Sequence, residues 1–276
     1  MQKELKDLEN KISSFDERDL GLNKNFNNFT ENCTVVLSAG GEGSRFKDIV
    51  GDLNVNKCSF VLPNNETMIE RVIKMYKNIG FNNFVVLVYH QADSIVSLLG
   101  DGSKYKVKIT YSFDPDKPVG RGGAIKNAIV KGVINKNSYL IVHNPDDQII
   151  GDTNAILTSI INKHLYNEEK GAIATAVVVK GSNYEFSGMQ VEKDMVTNME
   201  MYPFIPIPCH IGITVFSPII YKYFDELFDL EKKCDFEAVL FPVLAKEKKL
   251  YACNIPLESW ISVNNEKGFK KLIKNL

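Results

Sequence analysis

The chain has 276 residues, enough for one large α/β domain with a buried core or for two small domains, and we favour one. Hydrophobic residues make up 44% and charged residues 24%, which is typical of a globular protein and not of a disordered or fibrous one. The 33 basic and 34 acidic residues leave a net charge of −1, which excludes a general attraction to nucleic acid or to an anionic membrane.

Segments that would direct the chain to a membrane or an oxidising compartment are not evident. No apolar run approaches the roughly 18 residues of a membrane-spanning helix, and the first residues lack the apolar core of a signal peptide. The five cysteines are an odd number without CxxC spacing, which argues against a disulfide framework and against a zinc site. We therefore expect a cytoplasmic protein.

The N-terminal region differs in pattern from the rest. Residues 2–15 carry apolar side chains three or four positions apart among Lys and Glu, which predicts an amphipathic helix with a narrow apolar stripe. That stripe needs a partner, either the main domain or another subunit of a homo-oligomer. Residues 21–32 are rich in Asn and predict a linker whose aromatic side chains hold it to the surface. We therefore divide the chain into an N-terminal helix and linker, 1–31, and a single domain, 32–276.

A glycine-rich loop follows the first predicted strand of the domain. The apolar residues 35–37 predict a buried strand, which ends at a loop with glycines at 40, 41 and 43. Glycine permits backbone angles closed to other residues, so several peptide N–H groups of this loop can face one anion. Arg45 adds a guanidinium that fits phosphate oxygens, and Lys57 adds a second positive charge. A tight turn is the alternative for an isolated GGxG, and the loop has neither a P-loop ending nor a GxGxxG.

Strand and helix patterns alternate through the rest of the chain. This alternation predicts a single doubly wound, mostly parallel sheet, on which ligands bind at the carboxyl ends of the strands. The predicted helices are 67–79, 91–99, 153–166 and 221–230. Residues 120–130 are predicted to begin another helix, and a last one begins near residue 266. The predicted strands are 84–88, 107–111, 138–143, 172–179, a hairpin around 188–196, and 211–216.

Five segments resemble the motifs of the nucleotidyltransferases that make nucleotide sugars. LSAGGEGSRF at 37–46 is similar to the family signature LAGGxGTRL, and Lys57 follows it, although Asn56 stands where the family has proline. MIERVI, LLGDGSKYKVKI, PVGRGGAIKNA and SWISVNN then occur in the order that the family uses. The resemblance extends from about residue 34 to the C-terminus and implies a Rossmann-like nucleotidyltransferase fold with an N-terminal helical extension.

The resemblance assigns catalytic roles to Arg45, Lys57 and Asp146. The spacing between Arg45 and Lys57 is longer than in the family, so Lys47 is an alternative lysine. Asp146 falls where the family has a metal-binding aspartate after a strand, and Asp147 beside it is a second candidate.

The second metal ligand that the resemblance implies is Asn264 in SVNN, as in the uridylyltransferase branch. Two oxygen ligands completed by water and phosphate oxygens suit Mg²⁺, which needs few protein ligands. The alternative role for Asn264 is the N-cap of the last helix, which Asn265 could fill instead.

By analogy, the GRGG segment lines the base and ribose, where the family has GTAG or GTGG. Arg121 replaces the threonine, and it either contacts a phosphate or points to solvent. Asp114 and Asp116 are the candidates for reading the base, and a carboxylate suits guanine or cytosine better than uracil, so GTP or CTP is favoured. The nucleotide-binding residues implied are Leu37, Ala39, Gly40, Gly41, Gly43, Ser44, Asp114, Gly120, Arg121 and Gly122.

The acceptor half departs further from the family. The family's Glu-Lys-Pro corresponds here to Glu200, Met201, Tyr202 and Pro203, so the lysine that would hold the acceptor phosphate is absent. Lys180 and Lys193 are the candidate replacements. The acceptor-binding residues carried over by resemblance are Gly188, Glu200 and Gly212.

The resulting hypothesis is a transferase that joins a nucleoside triphosphate to a sugar 1-phosphate and releases pyrophosphate. One alternative is a cytidylyltransferase acting on a phospho-alcohol such as phosphocholine or inositol phosphate, because GSRF also resembles those enzymes. The other is a non-catalytic nucleotide-binding regulatory subunit, against which the joint presence of Arg45, Lys57, Asp146 and Asn264 argues.

Overall fold

The computed structural model describes residues 1–46, 51, 55–115 and 117–276. Its helices are α1 (Gln2–Ile12), α2 (Phe26–Glu31), α3 (Met68–Asn78), α4 (Ala92–Leu99), α5 (Gly120–Val130), α6 (Thr153–Glu168), α7 (Ile220–Leu227), α8 (Phe236–Lys246) and α9 (Glu266–Ile273). Its strands are β1 (Cys33–Ser38), β2 (Asn83–Val88), β3 (Lys108–Phe113), β4 (Tyr139–His143), β5 (Asp147–Ile149), β6 (Ala174–Val179), β7 (Ser182–Asn183), β8 (Ser187–Glu192), β9 (Met195–Met201), β10 (Phe204–Ile205), β11 (Cys209–Phe216), β12 (Leu250–Asn254) and β13 (Trp260–Ser262).

A central sheet of seven strands, in the order β12-β6-β11-β4-β1-β2-β3, organises the fold. Strand β1 runs parallel to β2 and β4, and β3 runs parallel to β2. Only β11 among the seven is reversed, since it pairs antiparallel with both β4 and β6. The prediction of a mostly parallel α/β sheet is confirmed.

Both faces of the sheet are covered, because successive side chains of a strand point to opposite sides. Val35 and Leu37 lie in the buried cluster formed with α3, α4 and α6. Val36 between them lies in the cluster formed with α5, α7 and α8. This two-sided burial explains the continuous apolar run of β1 and leaves the strand ends as the places where polar groups collect.

Two regions differ from the sequence-based expectations. The expected linker contains α2, whose Phe26 and Phe29 are buried in the core and not held at the surface. The sequence analysis assigns no element to residues 231–258, where the structure forms α8 and β12. The apolar run of α8 contains Pro242, and a run without clear periodicity does not distinguish helix from strand.

Helix α1 has the predicted amphipathic sequence but no buried side chain. The Met1 ammonium group donates a hydrogen bond of 2.7 Å to the side chain of Gln190, which joins α1 to the β8–β9 ribbon. Pairing of α1 with another subunit stays a prediction, as does the boundary at residue 31. Within the described ranges, no helix has the length and apolar character needed to cross a membrane.

Candidate active site

The glycine loop begins where β1 ends, at the carboxyl edge of the sheet. Gly43 has a φ of +60°, and a Cβ atom there would lie 3.1 Å from the Cβ of Lys57, so glycine lets the loop pass close over the lysine. Among the described residues, nothing accepts a hydrogen bond from the peptide N–H groups of residues 41–43. Arg45 is exposed, and its guanidinium forms no ion pair within the described ranges. The loop therefore offers unpaired donors to an anion.

Asn56 fixes the segment that carries Lys57. Its buried side chain donates hydrogen bonds to the carbonyls of Ala39, at 2.8 Å, and His90, at 2.9 Å, and its oxygen accepts one of 2.9 Å from the Cys58 N–H. The φ of Asn56 is −63°, the angle that a proline ring would impose. Asn56 therefore keeps the backbone angle of the family's proline and ties the lysine segment to the glycine loop, a role that the sequence analysis missed.

Lys57 is the centre of a polar cluster that joins three distant parts of the chain. Its Nζ donates to Oδ2 of Asp146 at 2.7 Å and to Oδ1 of Asn264 at 3.2 Å. The lysine side chain is only 10% exposed, and its ammonium lies 5.7 Å from the centre of the Phe46 ring. Because both oxygens contact the same nitrogen, Asp146 Oδ2 and Asn264 Oδ1 can be no further apart than the sum of these two distances.

Strand pairing brings Asn264 to this cluster. β13 pairs antiparallel with β5, and the Val263 N–H donates a 2.8 Å hydrogen bond to the Asp146 carbonyl. Asn265 caps α9 by accepting a 2.9 Å bond from the Gly268 N–H. The capping role therefore belongs to Asn265, and the amide oxygen of Asn264 faces Lys57.

Asp147 is held by groups other than Lys57. Trp260 Nε1 donates to Oδ1 of Asp147 at 3.0 Å, and Asn144 Nδ2 donates to its Oδ2 at 3.3 Å. Burial, followed by the charge of neighbouring Asp146, raises the pKa of Asp147 above its usual value. Between the two candidate aspartates, Asp146 is the one in contact with Lys57 and Asn264.

Gly212 leaves room for Asp147. It has a φ of +74°, and a Cβ atom there would lie 2.2 Å from Asp147 Oδ2 and 2.4 Å from Asn144 Nδ2. The structure thus places Gly212 against Asp147 and Asn144, where a side chain would displace Asp147. Its predicted contact with an acceptor stays a prediction.

The glycine loop, the Lys57 cluster and the GRGG turn, which is residues 120–123 at the start of α5, enclose an open cleft of about 640 Å³. A smaller cavity of about 210 Å³ adjoins it around Lys57 and includes Ala39. A larger cavity of about 750 Å³ lies between residues 15–22 and α6 and contains none of the predicted site residues. The predicted residues that line the main cleft are Gly40, Gly41, Gly43, Ser44, Arg45, Asp114, Gly120, Arg121, Asp146, Asp147 and Asn264.

Arg121 is paired with two acidic side chains. Its guanidinium contacts Asp235 Oδ1 at 3.1 Å, Glu237 Oε1 at 2.8 Å and Asn144 Oδ1 at 3.4 Å. Burial raises the pKa of Glu237, and the Arg121 charge opposes that rise. The sequence analysis missed both acidic partners, because they lie more than a hundred positions away in a region to which it assigned no element.

Main-chain contacts hold the GRGG turn against the segment before α8. Gly120 has a φ of +75°, and a Cβ atom there would lie 2.4 Å from the Cys234 carbonyl oxygen. The same carbonyl accepts a 3.0 Å hydrogen bond from the Gly122 N–H. Gly122 faces Phe228, and Leu37 is fully buried in the core, so these two predicted nucleotide contacts do not line the cleft.

Asp114 lines the same cleft as the glycine loop. Its Oδ2 accepts a 3.3 Å hydrogen bond from the Val119 N–H, and burial raises the pKa of its carboxyl group. The carboxylate is therefore positioned next to the GRGG turn. Asp116, the other candidate for reading the base, and Lys47, the alternative lysine, lie outside the described residues.

Two of the predicted acceptor residues, Gly188 and Glu200, lie in the β8–β9 ribbon. Gly188 and Glu200 are paired across the β8–β9 ribbon, and Gly188 packs against Pro203. Of the candidate replacement lysines, Lys180 pairs with Glu17 at 2.5 Å, and Lys193 lies in the turn between β8 and β9. The roles of these residues in binding an acceptor stay predictions.

A mostly parallel sheet whose carboxyl edge carries a glycine loop, basic side chains and carboxylates is the arrangement in which α/β proteins bind phosphate-containing ligands. The sequence model of the family described as nucleotidyl transferase matches residues 34–263, and the chain belongs to that family. The family resemblance seen in the motifs is confirmed.

The chain is also similar to individual nucleotide-sugar enzymes. It is 25% identical over 242 residues to the mannose-1-phosphate guanyltransferase of Pichia angusta, covering 85% of this chain and 61% of that protein. It is 23% identical over 267 residues to the UTP–glucose-1-phosphate uridylyltransferase of Synechocystis sp., covering 88% of this chain and 63% of that protein. The chain thus spans about three fifths of the length of these relatives.

The solved structure of HddC from Yersinia pseudotuberculosis has the same fold. Its TM-score to this protein is 0.61 at 19% identity, and the match covers 87% of this chain and 98% of that one.

Proposed function

We propose that the protein is a nucleotidyltransferase that joins a nucleoside triphosphate to a sugar 1-phosphate to form a nucleotide sugar and pyrophosphate. The observation that carries this proposal is the meeting of Lys57, Asp146 and Asn264 beside the glycine loop and Arg45. The relatives named above support the substrate class, since both act on a sugar 1-phosphate by name.

In the proposed reaction, an oxygen of the acceptor phosphate attacks the α-phosphorus of the nucleotide. The bond between the α-phosphorus and the bridging oxygen breaks, and pyrophosphate leaves with the bonding electron pair. The loop N–H groups and Arg45 hold the leaving phosphates, while Lys57 neutralises charge between the α-phosphate and the acceptor. Positioning and charge neutralisation carry the step, so no covalent enzyme intermediate is required.

The Asp146–Asn264 pair has the chemistry of a magnesium site. A carboxylate and an amide oxygen are hard ligands, and both face one point. Within the described ranges, no group of three or more His, Cys, Asp or Glu side chains is placed to hold a metal ion. The pair therefore needs phosphate oxygens and water to complete a coordination shell, and Mg²⁺ bound in this way would neutralise charge on the phosphates.

The base that the protein prefers is proposed to be guanine or cytosine. Asp114 lies on the cleft wall, and an ionised carboxylate accepts hydrogen bonds from the guanine N1–H and amino group or from the cytosine amino group. A clear preference for UTP or dTTP would contradict this assignment.

The alternative acceptor is a phospho-alcohol such as phosphocholine or inositol phosphate, in which case the protein is a cytidylyltransferase. The observation in its favour is that Gly188 and Glu200, the residues implied for sugar binding, do not line the cleft. A non-catalytic regulatory subunit would have no need for the Lys57 cluster, and we therefore rank that alternative last.

One screen separates these functions. Pyrophosphate release is measured with GTP, CTP, UTP, ATP and dTTP, each against a set of sugar 1-phosphates and phospho-alcohols, in the presence of Mg²⁺. Release with a sugar 1-phosphate supports the main proposal, and release only with CTP and a phospho-alcohol supports the alternative. Nucleotide binding without release from any pair would refute both enzymatic functions.

Single alanine variants of Arg45 and Lys57, with a matched arginine control, then test the site. Arg45→Ala and Lys57→Ala are each expected to lower turnover about tenfold to a hundredfold, because each removes a charge-assisted phosphate contact. Arg18→Ala is the control, because Arg18 is exposed and pairs with Asp16 away from the cleft. Near wild-type turnover in both Arg45→Ala and Lys57→Ala would overturn the assignment of the loop.

A further inference from the structure

Lys57 occupies the position that a divalent cation would need. Its Nζ contacts Asp146 Oδ2 and Asn264 Oδ1, the same two oxygens that fit Mg²⁺. A magnesium ion coordinates oxygen at about 2.1 Å, so an ion shared by these two oxygens would lie within close contact of the ammonium group. The two cations repel each other, and both cannot hold the pair at once.

The ammonium group is fixed in this position by its surroundings. The lysine stem lies close to Gly43, where an added Cβ atom would be 3.1 Å from the Lys57 Cβ, and the lysine side chain is 10% exposed. The ammonium lies near the Phe46 ring, and Asn56 anchors the preceding backbone with three hydrogen bonds. To leave the pair, the ammonium needs another anion close by, since a partly buried charge without a partner is costly.

A triphosphate would supply that anion within the same small cavity. The cavity of about 210 Å³ is lined by Lys57, Asp146 and Asn264 together with Arg45 and the glycine loop. Phosphate bound to the loop would therefore lie close enough to pair with the Lys57 ammonium without a large movement of the lysine side chain. Free metal brings no such anion and has to displace the ammonium unaided.

We propose that Lys57 is an internal counter-ion that keeps free divalent metal off the Asp146–Asn264 pair, so that metal enters together with the triphosphate. The proposal rests on the proposed function, because it takes the phosphates to be the second partner of Lys57. It implies that metal and triphosphate strengthen each other's binding, and that this coupling passes through the lysine.

The test measures binding of Mn²⁺ to the full-length protein by the loss of its free electron paramagnetic resonance signal. Lys57→Met removes the charge and keeps an apolar stem, and it is expected to bind Mn²⁺ at least tenfold more tightly than wild type without nucleotide. Lys57→Gln provides a second variant with the same expectation. A double variant that combines Lys57→Met with Asp146→Asn should lose this gain in Mn²⁺ affinity.

A matched control separates the specific contact from the general charge of the cleft. Lys233 also lines the main cleft but is not among the residues in contact with Asp146 or Asn264. Lys233→Met should therefore change Mn²⁺ affinity less than twofold. An equal gain in Lys233→Met and Lys57→Met would overturn the proposal, as would wild-type binding as tight as that of Lys57→Met.

A second series of measurements adds inorganic tripolyphosphate. A sample of Mn²⁺ and tripolyphosphate without protein is the blank. Tripolyphosphate should increase Mn²⁺ uptake by wild type at least tenfold and by Lys57→Met much less. Equal increases would overturn the coupling. These measurements need no turnover: a screen without pyrophosphate release would refute the proposed function alone, and release without the expected Mn²⁺ changes would refute the counter-ion alone.

Discussion

Replacing Asn56 by alanine should destabilise the protein by about 3 kcal/mol. The side chain is buried and makes three hydrogen bonds, to the carbonyls of Ala39 and His90 and from the N–H of Cys58. Each such bond contributes about 1 kcal/mol, and a buried partner left without one adds to the cost. Loss of these bonds also frees the Lys57 segment from the glycine loop, so turnover should fall as well.

Urea unfolding followed by fluorescence measures the free energy of unfolding of Asn56→Ala beside Asn82→Ala. Asn82 is exposed and makes one bond to the Gly80 carbonyl, so its loss should cost less than about 0.5 kcal/mol. Asn56→Asp has the same size but places a carboxylate against two carbonyls, and it should destabilise the protein at least as much as alanine. A harmless Asn56→Asp, or equal effects of Asn56→Ala and Asn82→Ala, would refute the reasoning.

Three further changes test other parts of the structure. Gly212→Ala should cost at least about 2 kcal/mol more than Gly132→Ala in urea unfolding, because both positions have positive φ but only Gly212 faces Asp147 at 2.2 Å, while Gly132 faces open space; equal costs would contradict the close contact. Burial lowers the pKa of His164 from 6.5 to about 3, so its neutral form stabilises the fold above pH 6.5 and this contribution is lost as the pH falls. The free energy of unfolding of wild type minus that of His164→Gln should therefore fall by about 2 kcal/mol between pH 7 and 5. A difference that stays constant over this range would refute the lowered pKa of His164. Deleting residues 1–12 should change the free energy of unfolding by less than about 1 kcal/mol, since α1 has no buried side chain, and a larger loss would show that its stripe is docked.

The parts of the fold that could be predicted carry their signals locally. The apolar run of β1 and the glycines after it lie next to each other in the sequence, and the crossover helices show periodic apolar faces. The carboxyl-edge rule then placed the loop and Asp146 at the same side of the sheet. These predictions needed no knowledge of which distant residues come into contact.

Contacts between distant polar residues could not be predicted in the same way. Lys57 and Asn264 are 207 positions apart, and only the resemblance of SVNN to a known motif pointed to Asn264. Asn56 looked like a departure from the family, because its hydrogen bonds to Ala39 and His90 exist only after the chain has folded. Polar contacts of this kind have no periodicity, so pattern analysis does not find them.

The pairing of charges decides what each basic residue of the cleft can do. Residue type alone makes Arg45, Lys57 and Arg121 candidates for contacts with phosphate. In the described part of the chain, however, Lys57 is held by Asp146 and Arg121 by Asp235 and Glu237, whereas Arg45 has no such partner. In the proposed reaction a triphosphate would therefore meet the Arg45 guanidinium without a competing carboxylate in the described part of the chain, and it would have to compete with carboxylates for Lys57 and Arg121. The order in which these contacts form follows from the acidic partners, which the basic motifs do not reveal.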